Sequence, residues 1–196
     1  MYLKYKYWFF KKAVPIDICK QILITGRSKI QKAGTTLAKE DYKKRKCTIS
    51  WLQDKWIYNI INPFIRSANQ RAGWNFDFDW NESAQFTIYN KDEYYNWHID
   101  QSAILRGGDD KNFKGKTRKL SLTLQLTDQS EYTGGDFQFM WIDNKKKNPL
   151  IIHTVDDAKE IGTVIVFPSF IYHRVLPITK GKRESLVNWS LGKPFK

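Results

Sequence analysis

The chain reads as a mainly β protein with helices at its N-terminal end, its strands short and numerous enough for a jelly roll or small barrel. Three observations lead there. A length of 196 residues suits one compact domain, and an apolar fraction of 41% is enough to build a core. The apolar period changes near Asn81, from helical spacing before it to alternation after it. Beyond that point turn residues recur often enough to divide the chain into about eight short strands. Residues 1–82 are therefore expected as a helical segment packed on a barrel of residues 83–196, the two forming one compact body.

Pro15 opens the first helix, because proline at the first helical position has no needed N–H to lose; Asp17 lies in the first turn. Ile16 to Ile24 carry this helix, and Gly26 marks its expected end. A second helix is expected over Ser50 to Ala72, where Trp51, Trp56, Ile60, Phe64 and Ala68 recur at spacings of five, four, four and four, with Pro63 kinking or dividing it. Strands follow near 84–89, 94–100, 119–127, 136–142, 149–155, 162–167, 171–177 and 183–191. The clearest alternates Leu120, Leu122, Leu124 and Leu126 with Ser121, Thr123, Gln125 and Thr127. Thr163 to Phe167 is β-rich between Gly162 and Pro168, and Gly134-Gly135 supplies positive φ in a turn that starts a strand.

Aromatic residues make up 15% of the chain, with eight Trp, so the net charge of +13 (33 Lys and Arg less 20 Asp and Glu) decorates a folded body rather than a disordered polyelectrolyte. No apolar run approaches the roughly 18 residues of a membrane span, and Tyr7-Trp8-Phe9-Phe10 is too short for a signal-peptide core. A cytoplasmic protein without a membrane partner is the expectation. Cys19 and Cys47 stand in unlike contexts without a CxxC pattern, which argues against a disulfide framework or zinc knuckle and leaves both as buried spectators. A pI near 9.6 permits a nucleic-acid partner. Lysines, however, outnumber arginines 25 to 8 and are spread along the chain, whereas base and phosphate recognition leans on arginine. The runs Lys43-Lys44-Arg45-Lys46, Lys111 to Lys119 and Lys145-Lys146-Lys147 read as solvated loops, equally attractive to an acidic protein.

Chemistry concentrates on few residues. Trp97-His98-Ile99-Asp100 ends a strand-like run, and side chains two apart on a strand share a face. An imidazole and a carboxylate projected together can occupy neighbouring positions on a metal. A later histidine can close a facial triad of two His and one carboxylate, leaving three positions open as O2-activating Fe(II) requires. His173 suits that place, following the strand Val164–Phe167 and the break Pro168-Ser169. His153, in Ile151-Ile152-His153, competes but lacks the following turn and arginine. After His173 the chain turns at Thr179-Lys180-Gly181-Lys182 and returns, so a hairpin brings Arg183 and Ser185 back beside the His173 strand. A guanidinium fork there can hold the distal carboxylate of a dicarboxylate, with the serine hydroxyl as a further contact.

These motifs together resemble the 2-oxoglutarate and Fe(II)-dependent dioxygenases of the prolyl 4-hydroxylase-like branch, in the manner of PKHD-type bacterial hydroxylases and similar phage-encoded enzymes. The resemblance rests on Tyr89, Tyr95 and His98-Ile99-Asp100, then Lys119 to Leu126, then Tyr132-Thr133-Gly134-Gly135-Asp136-Phe137, then His173-Arg174-Val175 with Arg183. It covers Ser83 to Leu191 and implies a double-stranded β-helix, the cupin-like jelly roll. It also implies His98, Asp100 and His173 as Fe(II) ligands, Arg183 as the 2-oxoglutarate anchor, and Tyr89 as a hydroxyl reaching the co-substrate. Ser185 is the further co-substrate contact. O2 is the second co-substrate, with ascorbate as an accessory reductant, succinate and CO2 as co-products, and a prolyl residue in a protein or peptide as acceptor. Location would be the cytoplasm, or the host cytoplasm for a phage-encoded chain.

Two departures stand out. Asp92 occupies a place where the family commonly has glycine, and Gln125 a strand position where relatives often carry an aromatic. Other functions remain open at this point: a hydroxylase of a free amino acid or small molecule, a nucleic-acid oxidative demethylase, and a non-enzymatic cupin-like binding module. Demethylases resemble R-x5-R after the last histidine, and here the second place is Trp189. Trp74, Trp80 and Trp97 read as core before groove, and Leu105 to Thr117, too long for a tight hairpin, reads as a substrate-covering loop or a plain one.

Overall fold

The computed structural model describes residues 3–33, 44–102 and 107–195. In chain order the elements are β1 (Trp8–Phe10), α1 (Ile16–Ala33), β2 (Arg45–Lys46), β3 (Thr48–Leu52), α2 (Lys55–Arg71), β4 (Trp80–Asn81), β5 (Ala84–Tyr89), β6 (Tyr94–His98), β7 (Thr117–Gln125), β8 (Tyr132–Gly134), β9 (Phe137–Ile142), β10 (Leu150–Thr154), β11 (Val164–Pro168), β12 (Tyr172–Val175), β13 (Ile178–Gly181) and β14 (Arg183–Gly192). The eight strands read from alternation are all present, as β5, β6, β7, β9, β10, β11, β12 and β14.

They assemble into two antiparallel sheets. The larger runs β1-β11-β7-β14-β5-β3, with β4 added on β14, and the smaller runs β10-β9-β12-β6-β2; β13 and β8 form a separate pair. Alternation assigns each side chain to one face of its sheet. Leu120, Leu122, Leu124, Phe86, Val164, Val166 and Leu186 are buried on the face of the larger sheet that Gly26 of α1 approaches at Phe86, and Phe137 and Phe139 are buried on the smaller sheet. Both sheets line one interior cavity, which is the arrangement of a jelly roll. Among the described residues no helix is long and apolar enough to cross a membrane.

The N-terminal residues depart from the helical expectation in three places. Helix α1 continues through Gly26 to Ala33. Gly26 is not a cap: a Cβ on it would lie 2.3 Å from the Phe86 ring, so glycine permits close approach of helix to sheet. Residues 50–52, expected within the second helix, instead end strand β3, which pairs with β5 from Thr48↔Ile88 to Leu52↔Ala84. Helix α2 starts only at Lys55, continues through Pro63, and buries Ile57, Ile61, Ile65 and Ala68. That stripe lies one position along from Trp56, Ile60 and Phe64, which pack half-buried at its flank. β-Branched Thr48 and Ile49 fit a pleated ladder better than a helix, and β5 offers them one.

The basic runs divide. Lys145 to Lys147 are exposed, as a solvated loop requires. Arg118 and Lys119 instead belong to β7; Lys119 is buried with its ammonium 3.4 Å from the Phe195 ring centroid. Lys43 and the first two residues of the expected covering loop, 105 and 106, lie outside the described residues. Gly134 and Gly135 have φ of +80° and +64°, as their turn required, and Asp92, standing for the family's glycine, adopts φ +64°. Both cysteines are free and buried, and burial pushes the Cys19 thiol up to about 11.

Candidate active site

Strands β6 and β12 pair with His173 directly opposite His98, so the register of the smaller sheet brings the two imidazoles together, ring centroids 4.1 Å apart. Asp100 follows β6, its backbone N–H donating to the Ser169 carbonyl at 2.9 Å. The ligand atoms of His98, Asp100 and His173 all lie within 4.8 Å of one another. His98 Nε2 is 3.6 Å from Asp100 Oδ1 and His173 Nε2 is 3.5 Å from Asp100 Oδ2, with all three side chains nearly inaccessible to water.

Backbone acceptors settle the tautomers. His98 Nδ1 donates to the Asn96 carbonyl at 2.8 Å and His173 Nδ1 to the Ile171 carbonyl at 3.0 Å. Since a carbonyl only accepts, each Nδ1 carries a proton, which leaves each Nε2, the atom facing Asp100, as the nitrogen available to a metal. Burial, and then the neighbouring His173, push His98 far below its ordinary pKa, so the ring is neutral at physiological pH. Burial acts to raise Asp100, but His173, His98, Arg118 and the Ser121 hydrogen bond outweigh it and hold the carboxyl below its usual range. Two imidazole Nε2 atoms and one carboxylate converging in a dry site are the donor set a divalent metal needs.

Arg183 begins β14, opposite Tyr89 of β5, and both side chains line the cavity that holds the triad. The guanidinium is 2% exposed, 5.8 Å from the Tyr89 ring, and donates to the Tyr132 hydroxyl. No carboxylate pairs with it among the described residues, which leaves a buried cation suited to an anionic group in the cavity. Ser185, two residues on, lines the same wall. Burial, and then the Cys47 thiol, raise the Tyr89 phenol, keeping it a neutral hydroxyl that can donate. Leu122, Phe137, Phe167, Val175 and Val187 supply apolar walls, and Thr123 adds a hydroxyl. Gln125, in register with Ser185, does not line this cavity but donates to the Thr127 carbonyl and to the Tyr132 hydroxyl beside Arg183.

His153 is not in the cluster; its Nε2 shares a hydrogen bond of 2.9 Å with the Tyr7 hydroxyl. Trp74 is core, Trp80 is exposed, and Trp97 lies beneath Arg174. Sequence reasoning missed the polar cavity residues Gln85, Arg45 and Trp189, and the last two carry buried N–H groups without partners. Arg45, read as part of a solvated run, sits in β2 at the edge of the smaller sheet, its guanidinium 4.7 Å from Tyr95, which in turn stacks on His98 at 3.5 Å. Its Nε donates to Cys47 Sγ at 2.9 Å, while Nη2 is buried without a partner. Trp189, noted only for not being arginine, lines the cavity with an equally unpartnered Nε1. Strand pairing across about fifty residues places Arg45 here, and no local pattern signals that.

Comparison with known proteins agrees with this geometry. PKHD-type hydroxylases match at 33% identity over 95 residues in Synechococcus sp. (strain CC9902) and 29% over 112 residues in Idiomarina loihiensis. They align with 48% and 54% of this chain but only 35% and 41% of their own, so the chain spans about two fifths of the length of such relatives. A prolyl-4-hydroxylase from Pseudomonas putida superposes with a TM-score of 0.70 at 20% identity, covering 97% of this chain and 95% of that one. A prolyl hydroxylase from Trichoplax adhaerens, solved with a fragment of hypoxia inducible factor, gives 0.68 at 15% identity over 95% of this chain and 84% of that one. At such identities the superpositions establish the fold. The model of the 2OG-Fe(II) oxygenase superfamily matches residues 84–191, more than half of the chain and the stretch holding the triad, Arg183 and Ser185, and the protein belongs to that superfamily.

Proposed function

We propose that the protein is an Fe(II)- and 2-oxoglutarate-dependent dioxygenase that hydroxylates a C–H bond of a prolyl residue in a protein or peptide. The observation that carries the reading is a single buried cavity containing both a His/Asp/His cluster and a guanidinium without a carboxylate partner. In the family, Fe(II) and 2-oxoglutarate together supply O2 activation, with release of succinate and CO2. The residues of this chain do the rest. His98, Asp100 and His173 hold the metal, the imidazoles through Nε2 because Nδ1 is spent on backbone carbonyls. Arg183 receives the distal carboxylate of the co-substrate, aided by Tyr89 and Ser185. The apolar walls exclude water, so that oxidising chemistry reaches the acceptor rather than solvent. Arg45 and Trp189 offer two buried N–H donors to whatever fills the remaining space.

The acceptor class is supported by the prolyl hydroxylase folds the chain matches and by its basic surface, which suits an acidic protein or peptide. Residues 83–196 form the catalytic unit in this reading and residues 1–82 its support. Ascorbate serves as reductant, and the cytoplasm is the compartment in which two free cysteines persist. The test is succinate formation from 2-oxoglutarate by protein reconstituted anaerobically with Fe(II) and then given air, with and without proline-containing peptides. Peptide-stimulated succinate together with a mass gain of one oxygen is expected. Stimulation by free proline but not by peptides would redirect the reading to a small-molecule hydroxylase, and failure to bind both metal and 2-oxoglutarate would end it.

A further inference from the structure

Asp100 does not enter the cluster as a free carboxylate. Ser121 of β7 donates its hydroxyl proton to Asp100 Oδ2 at 2.7 Å, and Ser169 Oγ lies 2.9 Å from Ser121 Oγ. Both serines are fully buried. The direction of the chain follows from valence. An ionised carboxylate only accepts, so the Ser121 proton is committed to Asp100 and its oxygen is left to accept from Ser169. Ser169 is itself fixed: its carbonyl accepts the backbone N–H groups of Asp100 and Gln101, both at 2.9 Å, and its N–H donates to the Lys119 carbonyl at 3.0 Å. Serine is an expensive choice at a fully buried position, since a hydroxyl without a partner costs about 1–3 kcal/mol there. Two hydroxyls kept in series and ending on one carboxylate oxygen point to a purpose beyond filling space. The terminal torsion of an aspartate is broad and roughly two-fold, so packing alone leaves the carboxylate plane loosely set.

We propose that the Ser169–Ser121 hydroxyl pair positions the metal site, fixing the rotation of the Asp100 carboxylate so that it offers one oxygen to the metal and leaves room for co-substrate and O2. The proposal rests on the reading of His98, Asp100 and His173 as metal ligands. Ser121 and Ser169 act through Asp100 and are positioning residues.

The probe is Co(II), titrated anaerobically into the whole chain and followed by its visible absorption, whose intensity reports coordination number. Ser121→Ala is expected to weaken Co(II) binding about 10–100-fold and to alter the spectrum at saturation. Ser169→Ala, one hydroxyl further out, should act in the same direction but less, and Ser121→Thr, which keeps the donor, should restore the wild-type spectrum. Thermal unfolding of the metal-free forms separates a folding defect from this effect, because a purely structural serine lowers the Tm without changing the spectrum of the saturated protein. If Ser121→Ala and Ser169→Ala both bind Co(II) within about threefold of wild type with an unchanged spectrum, the proposal is wrong and the triad stands. If wild type and His98→Ala are equally unable to bind Co(II), the triad reading falls and the proposal with it.

Discussion

Gly26→Ala is expected to destabilise the protein, although helix propensity alone predicts the opposite. In a helix interior alanine is favoured over glycine by about 1 kcal/mol. Gly26 lies inside α1, so an exposed position would show that gain. Here a Cβ would meet three Phe86 ring carbons at 2.3, 2.5 and 2.6 Å, where ordinary contact begins at 3.4 Å. Helix or ring must therefore retreat by at least 1.1 Å (3.4 less 2.3). Phe86 has nowhere to go, being fully buried between β3 and β14 on the helix-facing side of β5. The helix is also tied at this point, the Ser50 hydroxyl donating to the Gly26 carbonyl at 3.0 Å. Overpacking of this kind costs about 1–3 kcal/mol, with a displacement above 1 Å in the upper half of that range. The net effect is a loss of about 1–2 kcal/mol, or a Tm lower by about 2–8 °C for a chain of this size. Urea unfolding and calorimetry of the metal-free protein measure it directly. Co(II) affinity should hold, because Gln85 and Tyr89 line the cavity from the other face of β5. A Tm at or above wild type would refute the packing argument, and a double-mutant cycle with Phe86→Leu would then show no coupling.

His173→Ala should abolish metal binding and succinate formation, whereas His153→Ala should keep both, losing the Tyr7 hydrogen bond, about 1 kcal/mol of stability, and the ring contacts with Tyr7 and Trp141; metal titration of the pair decides between the two histidines. Arg183→Gln removes a buried charge-assisted fork while leaving the triad intact, so the KM for 2-oxoglutarate should rise roughly 10–100-fold with Co(II) affinity unchanged; an unaltered KM would place the co-substrate elsewhere. The metal-free protein should lose stability as the pH falls below the ordinary histidine range. His98 is held neutral by burial and by His173, so the unfolded chain takes up a proton there that the folded chain refuses, and stability rises with pH across that window. Asp100, depressed in the folded state, adds a loss of the same sign only below about pH 4. Urea midpoints at pH 7.5 and 5.5 check the sign, and His98→Phe should flatten the slope.

The parts of this structure legible in the sequence are those in which a local rule carries the information. Leu120 to Leu126 alternate because one buried face of β7 is apolar and the other carries Ser121, Thr123 and Gln125, and the two-residue spacing in Arg183-Glu184-Ser185 keeps that pair on one face, while His98 ends β6 and brings Asp100 in just beyond it. The parts that were not legible depend on partners distant in the chain. Gly26 looks like a helix stop until Phe86, sixty residues away, is seen against it. Ser50 to Leu52 join a strand because β5 offers an edge, overriding an apolar stripe of helical period that begins at Trp51. Arg45 is embedded in lysines and reads as solvent-facing, yet β2 pairs Arg45 with Tyr95 and swings its guanidinium over that ring. Composition describes a run as a whole; burial is decided residue by residue.

Strand β14 explains why the N-terminal residues and the cavity cannot be treated apart. Its inward side chains Arg183, Ser185, Val187 and Trp189 line the cavity. Glu184, between the first two and 1% exposed, receives Arg27 of α1 on both carboxylate oxygens, through Nε at 2.8 Å and through Nη2. Asn188, facing away from the cavity, donates to the Glu82 carbonyl at 2.9 Å. The Glu82 carboxylate forks onto Arg118 at 2.7 Å on both arms, and that guanidinium lies 3.8 Å from the Trp189 ring and 3.5 Å from the Asp100 carbonyl. Each cavity residue of β14 thus adjoins Glu184 or Asn188, a neighbour tied from the other side. Breaking a buried pair such as Glu82–Arg118 by removing one partner costs about 3–5 kcal/mol, far more than a surface ion pair contributes. Such a loss would reach Asp100 and Trp189 before it reached the rest of the fold. The support of the site is therefore distributed across the boundary near residue 82, with Arg27, Arg45 and Glu82 on one side and the triad on the other.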